Sequence, residues 1–504
     1  MKRIISLLLC LCMMAGFLCG CRAEDPESYV PTGDALVAED EEVIKQVTTD
    51  GTQSFSLAYY PEAGMNPIYC TDYTNRVIFP LIYQSLFSVN RDNEVVPILC
   101  ESYQVSSDLR TYTFKMNPKA TFSDGTPVTA EEAASSLHGA WDSDQYSGRF
   151  THVEFIYAID AQTLAVGLEQ ACGDLPRLLD IPIVKYKDGV DIPLGSGPYV
   201  LKGMEGYRYL VRRGNWWCKS DDLMVTADQI ALKEAESVVD VRDYFEFDDV
   251  GVVCTDPGSD RYTEYRCDYE LWDCENGIFV YLGFNMYNAF FQNVSVRQAI
   301  LKGIDRQKIS DTYYRGFAFP AELPASPNSN YYSAPLAQKY AYNHNEFLSL
   351  MAANGAQGKT VRLLVNSDDS LRVRVAQEIG NMLNACGLIV TVDARSTSDF
   401  KKALAVGDYD MYLAQTKLSP NMDLSEFFSE NGAMSYGGLA NINYYTLCLK
   451  ALENEGNAYT FYQTIMDDAL LCPILFRGYA VYAARGLMTD LAPARDNLFF
   501  YTIK

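Results

Sequence analysis

The sequence predicts an α/β protein with a parallel sheet covered by helices. Between residues 361 and 415 the apolar pattern reads strand, helix, strand, helix, strand. Right-handed crossovers make such a unit a parallel sheet. The composition agrees, because 48% of the residues are apolar and 13% aromatic, which is typical of a globular chain. At 504 residues the chain is long enough for two or three domains.

The first strand of this unit is predicted at 361–365 and the second at 388–392. Between them, apolar residues recur at helical spacing from Leu371 to Cys386, and Gly387 provides the stop. A short helix begins near residue 398 and ends at Gly407, followed by a third strand at 409–414. Ligands of such sheets bind beyond the carboxyl ends of the strands. That rule points to Asn366, Asp393, Gln415 and Thr416.

Three further segments have patterns that predict local structure. Residues 53–60 alternate as a strand. Thr129 and Glu132 have capping-box spacing at the start of a helix. Residues 294–309 carry an apolar stripe at helical spacing, which predicts one amphipathic helix.

Residues 1–21 have the pattern of a secretory signal peptide. Lys2 and Arg3 form the charged start, and the apolar run to Leu18 is shorter than the ~20 residues of a membrane span. The ending Leu-Cys-Gly-Cys resembles a bacterial lipobox, although Cys19 stands where alanine or serine is usual. We expect residues 1–20 to be removed and Cys21 to carry the lipid. The alternative is an ordinary signal peptide that ends in cysteine.

The segment 21–44 is predicted to be a disordered acidic tether, because it is rich in Asp, Glu, Pro and Ser. The formal charge of the chain is −24, and it becomes −26 when Lys2 and Arg3 are removed. A surface this acidic argues against nucleic acid as a partner.

Cysteine and histidine use argues against an enzyme or a metal site. Of fourteen cysteines, ten lie beyond Cys21, with no metal-type spacing. We expect most of these to be buried thiols, and Cys267 with Cys274 is the closest pair that a disulfide would join. Only three histidines occur, and none neighbours a nucleophile motif. We therefore predict no catalytic residues, no metal and no cofactor.

A series of blocks along the chain resembles the family 5 extracytoplasmic solute-binding proteins, the oligopeptide- and dipeptide-binding type that serves ABC importers. The clearest block is ATFSDGTPVTAEE at 120–132. The others follow in family order at 77–87, 95–97, 99–103, 111–115, 195–199, 282–285, 296–306, 342–346, 353–355 and 407–411.

The resemblance implies a two-lobed, periplasmic-binding-protein-like fold of the class II or cluster C type, with an extra subdomain and a hinge between the lobes. Domain I would comprise 45–75, 190–285 and 475–504, the extra domain II 76–189, and the doubly wound domain III 286–474. The chain would cross between lobes near 284–285 and near 472–474.

The resemblance also indicates where a ligand would lie. Family members that bind peptides hold the amine with an acidic residue, but here Pro420 falls near that position and Lys417 brings a cation. Asp423 is a possible substitute, or it caps the next helix. Arg372 and Arg374 lie where some members hold a carboxylate, or on a solvated helix face. The candidate ligand-binding residues are Asn66, Asn285, Asn366, Arg374, Gln415, Thr416, Lys417, Asp423 and Tyr436.

Two aromatic pairs, Trp216 with Trp217 and Tyr331 with Tyr332, are further pocket candidates, although core packing is the more common role of such pairs. The implied function is capture of oligopeptides, outside the cytoplasm and beside the membrane, for the permease and ATPase subunits of an ABC importer. Two alternatives stay open on the same fold. One is a binder of a sugar, metal chelate or opine-like solute, and the other is a sensing or adhesion lipoprotein without transport.

Overall fold

A computed structural model describes residues 55–204, 206–218, 227–259, 262, 264–488, 491–495, 497–498 and 500–501. The predicted signal peptide, Cys21 and the acidic tether lie outside the described residues. None of the described helices is both long and apolar enough to cross a membrane.

The strands of the described chain occur both in runs and singly between helices. In chain order they are β1 (Phe55–Tyr59), β2 (Gln84–Ser85), β3 (Phe87–Val89), β4 (Val95–Pro97), β5 (Cys100–Val105), β6 (Thr111–Met116), β7 (Val153–Asp160), β8 (Thr163–Leu168), β9 (Pro182–Ile183), β10 (Lys185–Lys187), β11 (Val190–Leu194), β12 (Tyr199–Met204), β13 (Tyr207–Arg212), β14 (Gln229–Glu234), β15 (Val252–Thr255), β16 (Tyr269–Phe284), β17 (Phe319–Pro320), β18 (Thr360–Asn366), β19 (Ile389–Arg395), β20 (Met411–Lys417) and β21 (Leu471–Ala484).

The helices are mostly short. They are α1 (Tyr73–Arg76), α2 (Phe79–Ile82), α3 (Ala130–Trp141), α4 (Leu175–Leu178), α5 (Val238–Glu246), α6 (Ala289–Gln292), α7 (Val294–Gly303), α8 (Arg306–Tyr313), α9 (Ala334–Ala337), α10 (His344–Ala353), α11 (Ser370–Asn384), α12 (Thr397–Val406), α13 (Ser425–Phe428), α14 (Ile442–Glu453) and α15 (Ala458–Asp467). Short 3-10 helices occupy Pro61–Ala63, Ser147–Arg149, Gln338–Tyr340 and Glu455–Asn457.

The predicted strand-helix unit near the C-terminus is confirmed as β18, α11, β19, α12 and β20. β18 pairs in parallel with both β19 and β20. The two glycine stops are also present, since Gly387 has φ 85° and Gly407 has φ 72°, a left-handed conformation that favours glycine. The α/β class predicted from the sequence is therefore confirmed.

One large mixed sheet runs through the molecule in the order β12-β13-β14-β1-β15-β21-β16-β20-β18-β19, with β17 added beside β21. Its two longest strands, β16 and β21, are antiparallel neighbours at the centre. Their register shifts between Glu275 and Phe279. This irregularity separates two halves of the sheet that pack into different cores.

The hydrophobic cores define two lobes. Lobe two has its core within residues 279–476. Lobe one has its cores within 57–274 and 480–500, so β16 and β21 both pass from one lobe to the other. The domain boundaries predicted at 285/286 and 474/475 lie several residues to one side of these changes of core, and they stay predictions.

Lobe one contains a separate four-stranded antiparallel sheet, β5-β6-β8-β7, against which α3 packs. Glu132 reaches back from the first turn of α3 to accept a hydrogen bond from the Thr129 backbone amide at 3.2 Å. The predicted helix start is thus confirmed.

Two local expectations need adjustment. The stripe at 294–309 forms two helices, α7 and α8, because Ile304 is extended and the Asp305 carboxylate caps α8 by accepting from the Lys308 amide at 3.0 Å. The ten cysteines of the described chain are all free thiols and mostly buried, so Cys267 and Cys274 do not form the disulfide that their spacing allowed.

Candidate functional site

The two lobes meet around Arg477, the only charged residue of β21. Arg477 Nη2 donates to the Asp256 carboxylate at 2.6 Å, and Nη1 donates to Gln415 Oε1 at 3.3 Å. Asp256 follows β15 in lobe one, whereas Gln415 lies on β20 of lobe two. Burial disfavours the charge of this guanidinium, but Asp256 outweighs it and raises the pKa of Arg477. A charged group therefore links three strands at the lobe junction.

Replacing Arg477 with leucine is expected to destabilise the protein by about 3 kcal/mol, because Asp256 would remain as a buried carboxylate without its partner. The two side chains are only 10% and 16% exposed. Arg477→Lys should lose less, since it retains the charge but not the forked geometry. Chemical denaturation measures both changes.

Arg485, just beyond β21, provides the matched control. Its ion pair with Asp268 is long at 3.8 Å and mostly exposed, so Arg485→Leu should change stability little. Equal losses of stability for Arg477→Leu and Arg485→Leu would show that the ion pair at the lobe junction stabilises the protein no more than an exposed ion pair does.

A second contact between the lobes comes from Arg315, which follows α8. Its guanidinium lies 4.4 Å from the centre of the Tyr262 ring and donates to the Pro257 carbonyl of lobe one. Arg315 has φ 56° and precedes Gly316 at the end of the helix. This left-handed turn is uncommon for arginine, and it directs the chain so that the side chain reaches the other lobe.

Several tyrosine side chains pack beside Arg477. The rings of Tyr73 and Tyr479 are 5.4 Å apart, and burial, with the nearby Asp256 carboxylate, raises the pKa of Tyr73. Burial likewise raises the pKa of Tyr314 to about 12, although Arg477 opposes the shift. These hydroxyls stay neutral near pH 7 and are able to donate hydrogen bonds to a ligand.

Gln145 of lobe one reaches Lys417 of lobe two. Its amide orientation follows from the surrounding donors. With the oxygen toward them, the amide accepts from Lys417 Nζ at 2.9 Å and from the Arg76 guanidinium at 2.9 and 3.2 Å. Polar groups of both lobes therefore meet at the junction between the lobes, at Gln145 and at Arg477.

The sequence profile of the bacterial extracellular solute-binding proteins, family 5, matches residues 94–435, more than half of the chain. The chain belongs to this family. Proteins of family 5 are extracytoplasmic, and they bind solutes for ABC importers.

Known family 5 proteins show the extent of the likeness. The glutathione-binding protein GsiB of Pectobacterium atrosepticum is 24% identical over 358 residues, and the match covers 66% of this chain and 66%, just under two thirds, of GsiB. The murein tripeptide-binding protein MppA, in an unliganded open form, is 16% identical with a TM-score of 0.73, covering 90% of this chain and 98% of MppA. NikA from Brucella suis, in complex with Fe(III)-EDTA, is 17% identical with a TM-score of 0.68, covering 89% and 100%. The two structures confirm the predicted two-lobed fold.

Some of the predicted ligand residues of this family 5 protein lie at the junction between the lobes. Gln415 contacts Arg477, and Lys417 contacts Gln145. Thr416 lies between them on β20, but its hydroxyl is directed toward Met434 Sδ at 3.8 Å. Asn366 lies at the carboxyl end of β18 as expected, and its amide donates to Thr397 Oγ1 at 2.9 Å.

Other predicted residues lie away from this group. Asn285 is at the opposite end of the sheet, where its amide donates to the carbonyls of Gly407 and Tyr409. Tyr436 packs near the same end against Tyr412. Asn66 forms a turn in lobe one and donates to the Tyr186 hydroxyl at 3.3 Å. These residues stay ligand candidates by prediction alone.

On α11 the two arginines differ in their surroundings. Arg374 is exposed, whereas Arg372 is half-buried and donates to the Asp369 carboxylate at 2.8 Å. The charge of Arg372 also influences the pKa of Tyr314, which lies beside Arg477. The helix thus turns Arg372 rather than Arg374 toward the junction.

Asp423 lies in the interface between the lobes, with its carboxylate 3.1 Å from His152 Nε2 of lobe one. It also accepts from the Ser425 amide at 2.7 Å, at the start of α13. The carboxylate is therefore already bound to protein groups. That arrangement favours a structural role for Asp423 over contact with a ligand amine, although the N-cap residue of α13 is Leu424 and not Asp423 as the capping interpretation expected.

The side chains of both aromatic pairs form hydrogen bonds with other groups of the protein. Trp216 and Trp217 both donate to the Ser196 carbonyl. Tyr331 is buried and donates to Asp174, and Tyr332 donates to Glu322. Their roles are those of core and interface residues.

Sequence reasoning missed Arg477, Asp256, Arg76 and Gln145. Arg477 carried a usable signal, because a single arginine in the apolar run 471–484 must find a partner when buried. Asp256, Arg76 and Gln145 carried no such signal in the sequence, since each lies in an ordinary polar segment. Within the described residues, no group of His, Cys, Asp and Glu side chains is suited to hold a metal ion.

Proposed function

We propose that this protein is a lipid-anchored, extracytoplasmic lipoprotein that captures oligopeptides for the permease and ATPase of an ABC importer. The observation that carries the proposal is the polar junction of the lobes, where Arg477 joins Asp256 to Gln415 and Gln145 of lobe one contacts Lys417 of lobe two. A ligand that contacts both lobes favours the closed arrangement by its differential affinity for it.

Peptide as the ligand class is supported by two relatives, whose names specify glutathione and a murein tripeptide. Main-chain hydrogen bonds hold extended peptides with loose sequence preference, and the tyrosine hydroxyls beside Arg477 supply polar groups that such a ligand could use. The Cys21 lipobox supports the anchor, which would keep the binding lobes beside the importer.

The contacts at the lobe junction refine the proposed ligand residues. Gln415, Lys417 and Asn366 keep their proposed role, and Arg477 and Arg372 join them. Asn66, Asn285, Arg374 and Tyr436 remain proposals of lower rank, because their side chains lie away from the junction. Thr416 and Asp423 also rank lower, because their side chains are directed toward other protein groups.

A non-peptide solute is the second candidate. It is favoured by Lys417 and Pro420, which stand where peptide binders of the family carry the groups that hold an amine. NikA, with its Fe(III)-EDTA, shows that this fold accommodates an anionic chelate. A sugar or an opine-like ligand belongs to the same alternative, as does a sensing or adhesion lipoprotein without transport.

Native mass spectrometry and thermal shift test the proposal on the purified protein. We expect co-purified species with peptide mass ladders, and a higher Tm with a tripeptide mixture, because a ligand of the native state stabilises it. An equimolar mixture of free amino acids is the control and should leave the Tm unchanged. One discrete non-peptide species, with no Tm response to peptides, would refute the peptide assignment.

A further inference from the structure

The segment 172–177 of lobe one contacts lobe two directly, through groups other than Arg477 and Gln145. The Gly173 amide donates to the Leu452 carbonyl of lobe two at 2.9 Å. Leu452 lies in the last turn of α14, where the backbone carbonyls have no partner within the helix. A backbone hydrogen bond between the lobes therefore satisfies a group that the helix itself leaves unpaired.

Gly173 permits this close approach because it has no side chain. A Cβ at this position would lie 2.2 Å from the Glu453 carbonyl oxygen, and the next nearest atoms also belong to the backbone of Leu452 and Glu453. The φ of Gly173 lies outside the left-handed region, so the backbone of lobe one accepts alanine here. A methyl group at this position would thus be compatible with lobe one and would collide with lobe two.

Side chains of the same segment add polar contacts across the junction. The hydroxyl of the buried Tyr331 in lobe two donates to the Asp174 carboxylate at 3.3 Å. The buried Arg177 donates from Nε to the same carboxylate, and its Nη2 lies 3.7 Å from the Glu455 carboxylate of lobe two. Asp174 and Arg177 therefore face groups of lobe two on both sides of their own ion pair.

Lobe one holds the segment in place by its own hydrogen bonds. The Cys172 amide donates to the Leu109 carbonyl at 3.2 Å, and the buried Tyr112 hydroxyl donates to the Cys172 carbonyl at 2.7 Å. At the other end of the segment, Arg177 Nη1 donates to the Asn93 carbonyl at 2.8 Å. These contacts lie within lobe one, so the surface that meets α14 is formed before the lobes come together.

We propose that residues 172–177 form a latch that holds the two lobes together before any solute binds. Each contact described above joins two protein groups and needs no ligand. The inference goes beyond the proposed capture of solutes, because it concerns the protein without solute. A latch supplies part of the free energy of closure, so a solute needs less differential affinity to complete it. The unliganded protein would then differ from MppA, whose unliganded form is open.

Small-angle X-ray scattering tests the latch on protein that has been unfolded, dialysed and refolded to remove any solute. Gly173→Ala should have a larger radius of gyration than the wild type, because the added methyl group prevents the contact with α14. Gly148→Ala is the matched control in the same lobe, since a Cβ there meets nothing within 4 Å, and it should keep the wild-type radius. Equal radii for the wild type and Gly173→Ala would overturn the latch.

Hydrogen exchange provides a second test that does not require Gly173→Ala to fold. Tyr331→Phe removes a hydrogen bond between the lobes, whereas Tyr332→Phe removes one to Glu322 within lobe two. In solute-free protein, Tyr331→Phe should speed exchange of the Gly173 amide by about 5-fold, because it weakens the latched state, and Tyr332→Phe should leave the rate unchanged. Equal rates in the two variants would overturn the latch, and peptide capture would be unaffected, since neither measurement includes a peptide.

Discussion

Asp423→Asn is expected to lower the free energy of unfolding by about 3 kcal/mol, because it removes one member of a buried ion pair. The His152 and Asp423 side chains are only 13% and 8% exposed, and they join the two lobes. Asparagine has nearly the same shape, so the loss reports charge and not volume. Urea denaturation at pH 5.5 measures it.

The pH dependence of stability gives the same pair a second signature. Burial opposes both charges, but the partner charge and hydrogen bond outweigh it, so the pKa of Asp423 is lowered and the pKa of His152 is raised. Glu426 and Glu169 also face His152 and raise its pKa further. The Asp423 contribution is present above its ordinary value of 3.8 and is lost as the pH falls through its lower folded value. The His152 contribution is complete below 6.5 and is lost as the pH rises through its higher folded value.

The pair should therefore stabilise the protein most between about pH 4 and 6.5, and Asp423→Asn should flatten the profile on both sides of that window. Asp268→Asn is the matched control, because Asp268 is 84% exposed in a long ion pair. If Asp423→Asn retains full stability and loses peptide binding, Asp423 contacts the ligand, as the sequence suggested.

Gly195→Ala is expected to cost about 3 kcal/mol or more, since a side chain there has no space. A Cβ at Gly195 would lie 2.0 Å from the Ile82 carbonyl oxygen, which belongs to the backbone of α2. The adjoining Gly197 amide donates to the same oxygen at 2.8 Å, and Ser123 donates to the Gly195 carbonyl at 2.9 Å. The alanine would force these segments apart.

Gly214→Ala serves as the control, because a Cβ at Gly214 meets nothing within 4 Å. Its effect should stay within about 0.5 kcal/mol. Thermal unfolding of the two variants under one set of conditions provides the comparison. A Gly195→Ala protein as stable as Gly214→Ala would contradict the close approach of this turn to α2.

Local sequence was a good guide to the individual elements. The β18–β20 unit, the glycine stops at Gly387 and Gly407, and the helix start at Thr129 all follow from periodicity and turn chemistry within a few residues. The single helix at 294–309 failed because the periodic stripe continues through a break that the Asp305 cap creates. A hydrophobic stripe indicates which face of a segment is buried. It does not reveal a single extended residue that interrupts the helix while the apolar residues stay on the same face.

The candidate site was less predictable because its groups are distant in sequence. The rule for strand ends found Gln415 and Asn366, since both follow directly from strand positions. It did not find Asp256, which lies 221 residues from its partner Arg477. Asn285 was included in the predicted site because it lies at a predicted crossover, but β16 runs antiparallel to β20 and places it at the opposite end of these strands from Gln415.

By itself the sequence determined the α/β class, the order of the elements from β18 to β20 and the family, because periodicity, caps and motif blocks depend on short segments. It also carries the Cys21 motif on which the proposed anchor rests. The tertiary structure alone decided which charges meet: Arg477 with Asp256, His152 with Asp423, and Lys417 with Gln145 and Arg76. These pairings depend on how two lobes pack around β16 and β21, and the energy of a charge depends on its neighbours in space rather than in sequence.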